Sequence, residues 1–283
     1  MAAVAFPGWH FHADTWGIIG FLGLAYFVAL RRHSMAQGRH PTASVTRGQK
    51  SAFTAGLAVL WIGSNWPVHD LAEGYLYSIH MTQHLLFTLV AALLLVMGVP
   101  EWMARSILRP AWLMRTVRGL ARPVPSLIQA NLILVLSHWP LVVNATVGNH
   151  PLHLVAHSVL LVSAVLMWLP VVSPLPEIRR LRPPLQMLYL FGQTILPTVP
   201  ASFLTFGTQP LYEVYVSLPR LWGISVLTDQ QTAGLIMKLA GGFYLWIVIT
   251  IVFFRWASSE ERKDRAGQRD VVTYEDVRHE LVT

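Results

Sequence analysis

Residues 76–100 have the sequence LYSIHMTQHLLFTLVAALLLVMGVP, which contains no Asp, Glu, Lys or Arg. A helix needs about 20 predominantly apolar residues to cross the hydrocarbon core of a bilayer, and this stretch is long enough. It carries His80 and His84, which an α-helix places on one face about one turn apart. Polar side chains in a membrane helix usually face protein, water or a ligand. We therefore interpret the stretch as a membrane span whose outer part carries a functional histidine pair.

The composition extends this interpretation to the whole chain. Of the 283 residues, 54% are hydrophobic and only 12% are charged, whereas soluble domains average about 25% charged residues. Eleven Trp and 12 Phe fit aromatic belts at the two membrane interfaces. The predicted fold class is all-α, a polytopic membrane protein. There is no cysteine, which excludes disulfides, iron–sulfur clusters, c-type haem attachment and thiolate metal ligands.

Hydropathy along the chain predicts a seven-transmembrane-helix bundle. The predicted spans are Thr15–Leu30, Ser51–Trp66, Leu76–Met97, Ser126–Val143, His150–Val172, Pro184–Phe206 and Gln230–Phe254. The arginine-rich segment from Arg105 to Arg122 is expected to form an amphipathic helix on the membrane surface. Prolines in the sixth span predict a kink there. We divide the chain into an extracytoplasmic N-terminus (1–14), a seven-helix membrane domain (15–256) and a cytoplasmic tail (257–283).

Basic residues fix the predicted orientation. Nineteen of the 21 Lys and Arg fall in the loops after spans one, three and five or in the tail. The positive-inside rule then places the N-terminus outside and the C-terminus in the cytoplasm. The net charge of +7 is explained by this topology, so the expected partner is the lipid bilayer and not nucleic acid.

Histidines are distributed in the opposite way. Nine of the 12 lie in outer loops or in the outer halves of spans, and they include a second pair four residues apart, His153 and His157. Neutral imidazole is a common ligand of copper, zinc and iron. The two pairs could supply up to four nitrogens to one metal or haem site. For His138 we expect a hydrogen-bonding role within the bundle, and for His10, His12 and His69 a solvated loop position.

The start of the last span is also polar, with Asp229, Gln230 and Gln231 followed by Met237. Asp229 has two interpretations, a helix N-cap or a group that orients a ligand histidine. Met237 is either a soft copper ligand or a packing residue.

Hydrolytic chemistry has no visible residues. The segment His80-Met-Thr-Gln-His84 has the spacing of a zinc-protease motif, but Met81 occupies the position of the general-base glutamate. Nucleotide-binding and serine-hydrolase motifs are also missing, so we do not expect an enzyme.

Three segments, Ser78–Leu86, Asn149–His157 and Asp229–Met237, resemble the CtaG family of cytochrome c oxidase assembly proteins, and the resemblance extends over Thr15–Trp256. It implies a multi-pass protein of the bacterial plasma membrane that helps to build haem–copper oxidase by handling copper, with oxidase subunits as partners. Lys238 departs from the family pattern, where an apolar or aromatic residue is expected.

The sequence hypothesis is that copper binds at the outer face. The predicted site residues are His80, His84, His153, His157, Met237 and Asp229, with Met81 as an alternative sulfur ligand. A second hypothesis is a bis-histidine haem protein for electron transfer, and a third is an assembly scaffold without metal. The sequence is also compatible with a homo-oligomer.

Overall fold

The computed structural model describes residues 5–38 and 45–269, with backbone only for 266–269, and these residues form helices and loops without a β-strand. The first helices are α1 Ala13–Ala36, α2 Arg47–Gly63, α3 Val68–Gly74, α4 Tyr77–Leu85, α5 Ala92–Gly98, α6 Glu101–Ile107 and α7 Ala111–Leu120. The others are α8 Pro123–Ser137, α9 Pro140–Thr146, α10 His150–Val172, α11 Pro183–Ile195, α12 Thr198–Phe206, α13 Val226–Leu235 and α14 Gly241–Arg269. Residues 1–4, 39–44 and 270–283, which include most of the predicted tail, lie outside the described part of the chain.

Two of these helices continue into the next one through a π-helical turn. Leu86–Ala91 joins α4 to α5, and Ile236–Ala240 joins α13 to α14. The first π-helical turn begins two residues after His84, and the second contains Met237. π-helical turns are rare, and they are frequently found at functional sites.

The apolar helices confirm a multi-pass membrane protein. Within the described residues, five helical segments are long and apolar enough to cross a membrane: Ala13–Ala36, Tyr77–Gly98, His150–Val172, Pro183–Phe206 and Val226–Arg265. A sixth span results if α7 and α8, which meet at 84°, are counted as one. The predicted second span corresponds to α2, which has 17 residues. Seven spans and the orientation of the termini therefore stay predictions.

Two predicted spans are interrupted. The predicted fourth span is not one helix, because α8 ends at Ser137 and α9 begins at Pro140. Proline disfavours the helical conformation of the residue before it, and Trp139, which precedes Pro140, is extended. The predicted sixth span is divided into α11 and α12 at Leu196 and Pro197, in agreement with the predicted kink.

One end of the bundle carries the arginines that follow α5 and α10, among them Arg105 and Arg180, and we call it the arginine end. It is held by close backbone packing. The Tyr26 hydroxyl donates to the Gly98 carbonyl oxygen (2.9 Å), and its ring stacks on Phe53 with centroids 3.7 Å apart. A Cβ at Gly98 would lie 2.5 Å from the Phe53 backbone nitrogen, so only glycine permits this approach of α5 to α2. The opposite end carries the N-termini of α1, α4 and α10, and we call it the histidine end.

Candidate metal centre

The helix that carries the first histidine pair is capped by a distant residue. Asp229 in α13 accepts hydrogen bonds from the backbone N–H groups of Tyr77 (2.8 Å) and Ser78 (3.0 Å), the first residues of α4. A buried carboxylate at this position satisfies unpaired N–H groups and interacts favourably with the helix dipole. Asp229 therefore caps α4 and not its own helix, whose N-cap is Ser225.

The second histidine helix has a local cap. The Asn149 side chain accepts a hydrogen bond from the Leu152 N–H (3.2 Å), and Pro151 occupies the first turn of α10. Helical periodicity then places His153 and His157 on one face, and α10 packs directly on the continuous helix that contains α4.

These two helices bring the four predicted histidines together. The ring centroids of His80 and His84 are 4.3 Å apart, those of His153 and His157 are 4.1 Å apart, and those of His80 and His157 are 5.5 Å apart. The Nε2 atoms of His84 and His157 lie 3.0 Å from each other. One ring nitrogen from each of His80, His84 and His157 falls within 4.8 Å of the other two, which makes them a candidate metal-binding group. We call these three residues the inner group.

The inner group is deeply placed, and part of its hydrogen-bonding capacity is not used. His80 and His84 are buried, His157 is half-buried, and the neighbouring His153 is buried. Among the described residues, none makes a hydrogen bond of acceptable geometry with Nδ1 of His80 or His84, or with either ring nitrogen of His153. Buried polar atoms in proteins are normally hydrogen-bonded, so such a concentration of unpaired nitrogens requires an explanation. Metal coordination would provide one.

His138 and Met81 extend the inner group. His138 Nδ1 lies 2.7 Å from the Leu134 carbonyl oxygen, which is the hydrogen-bonding role expected from the sequence. Its other nitrogen, Nε2, lies 3.1 Å from the Met81 sulfur, and its ring centroid lies 5.4 Å from that of His84. Met237 is buried in the same apolar cluster as Met81.

The residues around Asp229 hold the loop between α12 and α13. The Gln230 carboxamide accepts from the N–H groups of Leu211 and Tyr212 and donates to the Tyr212 carbonyl oxygen. The Tyr212 hydroxyl donates in turn to the His138 carbonyl oxygen (2.8 Å). The polar segment of the last span thus supports the start of α4 and the turn at His138. Lys238 is exposed on the outer surface of the π-helical turn, so its charge does not enter the bundle.

The sequence prediction for His69 was wrong, because this residue is buried and not solvated. It lies in α3, which packs on α4, and the N-terminal segment folds over it. The Trp66 indole donates to the Pro7 carbonyl oxygen, and His12 Nε2 lies 3.0 Å from Asp70 Oδ2. His12 is also mostly covered, whereas the His10 side chain is 67% exposed.

His69 belongs to a second set of ligands that the sequence did not single out. His69, Glu73 and His150 each place one ligand atom within 4.8 Å of the others, and we call them the outer group. Burial, with a smaller contribution from neighbouring His12, lowers the pKa of His69 to about 4, so its imidazole is neutral near pH 7. Burial also raises the pKa of Glu73. The only sequence signal is that Glu73 follows His69 by four residues in a short helix.

His153 lies between the two groups. Its Nε2 is 3.2 Å from Glu73 Oε1 in the outer group, while its ring packs against His157 in the inner group. The sequence hypothesis placed His153 with the other three histidines around one ion. The structure places it next to both candidate groups.

The fold and this site together define a polytopic helical membrane protein with a buried polyhistidine cluster at one end. The family model described as cytochrome c oxidase caa3 assembly factor (Caa3_CtaG) matches residues 24–259. The chain therefore belongs to this family, which confirms the resemblance stated from the sequence. No curated protein and no solved structure matches the chain.

Proposed function

We propose that this assembly factor binds copper through the inner group and delivers it to cytochrome c oxidase during assembly. The observation that carries the proposal is the convergence of His80, His84 and His157, from two helices, at a buried position with unpaired ring nitrogens. The protein then acts by binding and releasing its cargo and not by catalysis.

Metal–ligand distances support this arrangement. With metal–nitrogen bonds of about 2.0 Å, the nitrogens around a three- or four-coordinate ion lie roughly 3.3–3.5 Å apart. The facing Nε2 atoms of His84 and His157, at 3.0 Å, are already close to this separation. The third nitrogen is within 4.8 Å, so rotation of side chains without movement of the helices would close the site.

The ligand set favours copper among the transition metals. Imidazole binds copper well, and the neighbouring Met81 offers a soft thioether that suits Cu(I). Met81 is better placed than Met237 in this respect, because its sulfur contacts His138 beside the inner group. Asp229 supports the site from a distance by fixing the start of α4, since both carboxylate oxygens accept backbone hydrogen bonds.

The location of the site is part of the proposal. Among the described residues, all Lys and Arg except Arg220 and Lys238 belong to the segments after predicted spans one, three, five and seven, and the positive-inside rule would assign the arginine end to the cytoplasm. The histidine end would then face the outer side of a bacterial plasma membrane, from which copper could be passed to an oxidase subunit.

The haem alternative receives less support. A haem iron between two axial histidines needs nitrogens roughly 4 Å apart on opposite faces of a flat macrocycle. In their present positions, His84 Nε2 and His157 Nε2 are 3.0 Å apart, which is closer than two axial ligands of one haem.

Metal analysis of purified protein tests the proposal. We expect copper in the wild-type protein after growth with copper, and loss of most of it in the double variant His80→Gln/His84→Gln, which keeps polar side chains of similar size. The matched control is Thr82→Ala, on the same helix between the two histidines, where only a hydroxyl bonded to the Ser78 carbonyl oxygen is removed. Equal copper in the double variant and the wild type would refute the site.

An absorption spectrum of the same samples separates the alternatives. A Soret band that disappears in the double variant would show that the site binds haem and not copper. If neither metal nor haem is present and the double variant still supports oxidase assembly, the metal-free scaffold is the correct function.

A further inference from the structure

We propose that the outer group, His69, Glu73 and His150, is a second metal site that takes a divalent transition-metal ion. We also propose that copper reaches the inner group through this site, and that role rests on the proposed copper function. The existence of the outer site does not, because it depends only on its own ligands.

The outer ligands come from two separate parts of the chain. His69 Nε2 and Glu73 Oε1, one helical turn apart in α3, are 3.5 Å from each other. His150 is the first residue of α10, and its Nε2 lies 3.1 Å from Asp14 Oδ2 in α1. A metal at this point would therefore be held between three helices, with a second carboxylate beside it.

An independent observation points to a ligand at the same place. The His153 side chain is only 5% exposed, and its Nε2 is directed at Glu73 Oε1 at a distance of 3.2 Å. Neither atom has a hydrogen-bond partner of acceptable geometry among the described residues. A buried imidazole and a buried carboxylate oxygen that face each other without a hydrogen bond are the arrangement expected when a cation is their common partner.

The charges of this region favour a cation. Asp14, Asp70 and Glu73 lie within it, interleaved with the imidazoles of His12, His69, His150 and His153. Carboxylates and neutral imidazoles together are ligands for Zn²⁺ and Cu²⁺, whereas the inner group with Met81 is softer. The two groups therefore differ in the softness of their ligands, but the imidazoles of both bind Cu²⁺.

The outer and inner groups share one space. A cavity of about 110 Å³ is lined by His69, His150, His153, His157 and Gln83, so it touches members of both groups. Side-chain exposure falls along the series from 67% at His10 through 15% at His12 and 10% at His69 to 5% at His153. Ring centroids are 4.7 Å apart between His12 and His69, 6.1 Å between His69 and His153, and 4.1 Å between His153 and His157, so imidazoles follow one another from the surface to the inner group.

Titration of the purified, metal-depleted full-length protein with Cu²⁺ alone tests the second site. We expect two bound Cu²⁺ per chain in the wild type, one in Glu73→Gln/His150→Gln and one in His84→Gln/His157→Gln. The matched control is Glu213→Gln, an exposed carboxylate in the loop before α13, which should still bind two. If Glu73→Gln/His150→Gln binds two Cu²⁺ with wild-type affinity, the outer site is overturned.

Two further results keep the outcomes distinct. If the Glu73→Gln/His150→Gln protein does not fold, His150→Gln alone replaces it, because this half-exposed residue is not part of the core. We then expect one of the two sites to weaken by at least about tenfold, and unchanged affinity at both sites overturns the proposal. If only the outer variants lose an ion and His84→Gln/His157→Gln binds as the wild type does, the outer site stands while the copper function of the inner group fails.

Discussion

His84 Nε2 lies 3.0 Å from His157 Nε2, although the two residues are 73 positions apart in the chain. Two neutral imidazoles can face each other at this distance only if one donates a hydrogen bond to the other or a cation lies between them. The contact joins the helix capped by Asp229 to the helix capped by Asn149. It is therefore both a structural contact of the bundle and the centre of the proposed copper site.

Loss of this pair should abolish oxidase assembly. In cells that lack their own copy of the protein, we expect His84→Gln/His157→Gln to lower cytochrome c oxidase activity of membranes at least about tenfold, since removal of two ligands should prevent copper loading. The matched control is Ser158→Ala, on α10 beside His157, whose hydroxyl contacts only its own helix backbone. Normal activity with the double variant present at wild-type abundance would contradict the assignment.

Replacement of Asp229 should affect stability more than metal binding. Asp229→Ala leaves the buried N–H groups of Tyr77 and Ser78 without acceptors, and we expect the free energy of unfolding to fall by roughly 2–4 kcal/mol. Asp229→Asn should lose less, because the amide oxygen still accepts, and its folded fraction should keep its copper. The measurements are thermal unfolding in detergent and metal content. Loss of copper from folded Asp229→Asn would instead make Asp229 a ligand.

Two glycines on the last span form a matched pair. A Cβ at Gly234 would lie 2.6 Å from Thr205 Oγ1 and 2.7 Å from the Ala201 carbonyl oxygen, whereas a Cβ at Gly242 meets nothing within 4 Å. Gly234→Ala should therefore separate α13 from α12 and destabilise the protein by about 1–3 kcal/mol. Gly242→Ala should be neutral or stabilising, because alanine favours the helix. Equal unfolding temperatures of the two variants would contradict the close packing.

The absence of cysteine makes the orientation directly measurable. Ser217 is exposed at the histidine end, and Ser258 is exposed in α14 toward the arginine end. We expect a membrane-impermeant maleimide to label Ser217→Cys in intact cells, and Ser258→Cys only after permeabilisation. The reverse pattern would place the histidine end in the cytoplasm and remove the outer-face delivery of copper.

Helical periodicity predicted much of the inner group from the sequence. The spacing of four residues put His80 with His84 and His153 with His157, and the predicted bounds of the fifth span coincide with those of α10. The charge pattern separated the histidines from the basic residues. Both results depend on local properties of the chain, which a sequence contains directly.

Contacts between distant segments could not be predicted in this way. His69 was assigned to the short acidic loop between the predicted second and third spans, yet it lies in α3, which packs on α4, and the N-terminal segment folds over it. Asp229 was recognised as a possible cap, but the helix that it caps begins 152 residues earlier. The division of His153 between the two candidate groups likewise depends on its contacts with His69 and Glu73 of α3 and not on the spacing of histidines.

The π-helical turn at Leu86–Ala91 has a consequence for length variation in this protein. A π-helical turn contains one residue more than the corresponding α-helical turn, and each residue rotates a helix by about 100°. His80 and His84 precede this turn, while Ala91, Ala92 and Val96, which pack inside the bundle, lie at its end or beyond it. Deletion of a single residue from the turn would keep every histidine in the chain, yet it would rotate the first pair out of register with His157.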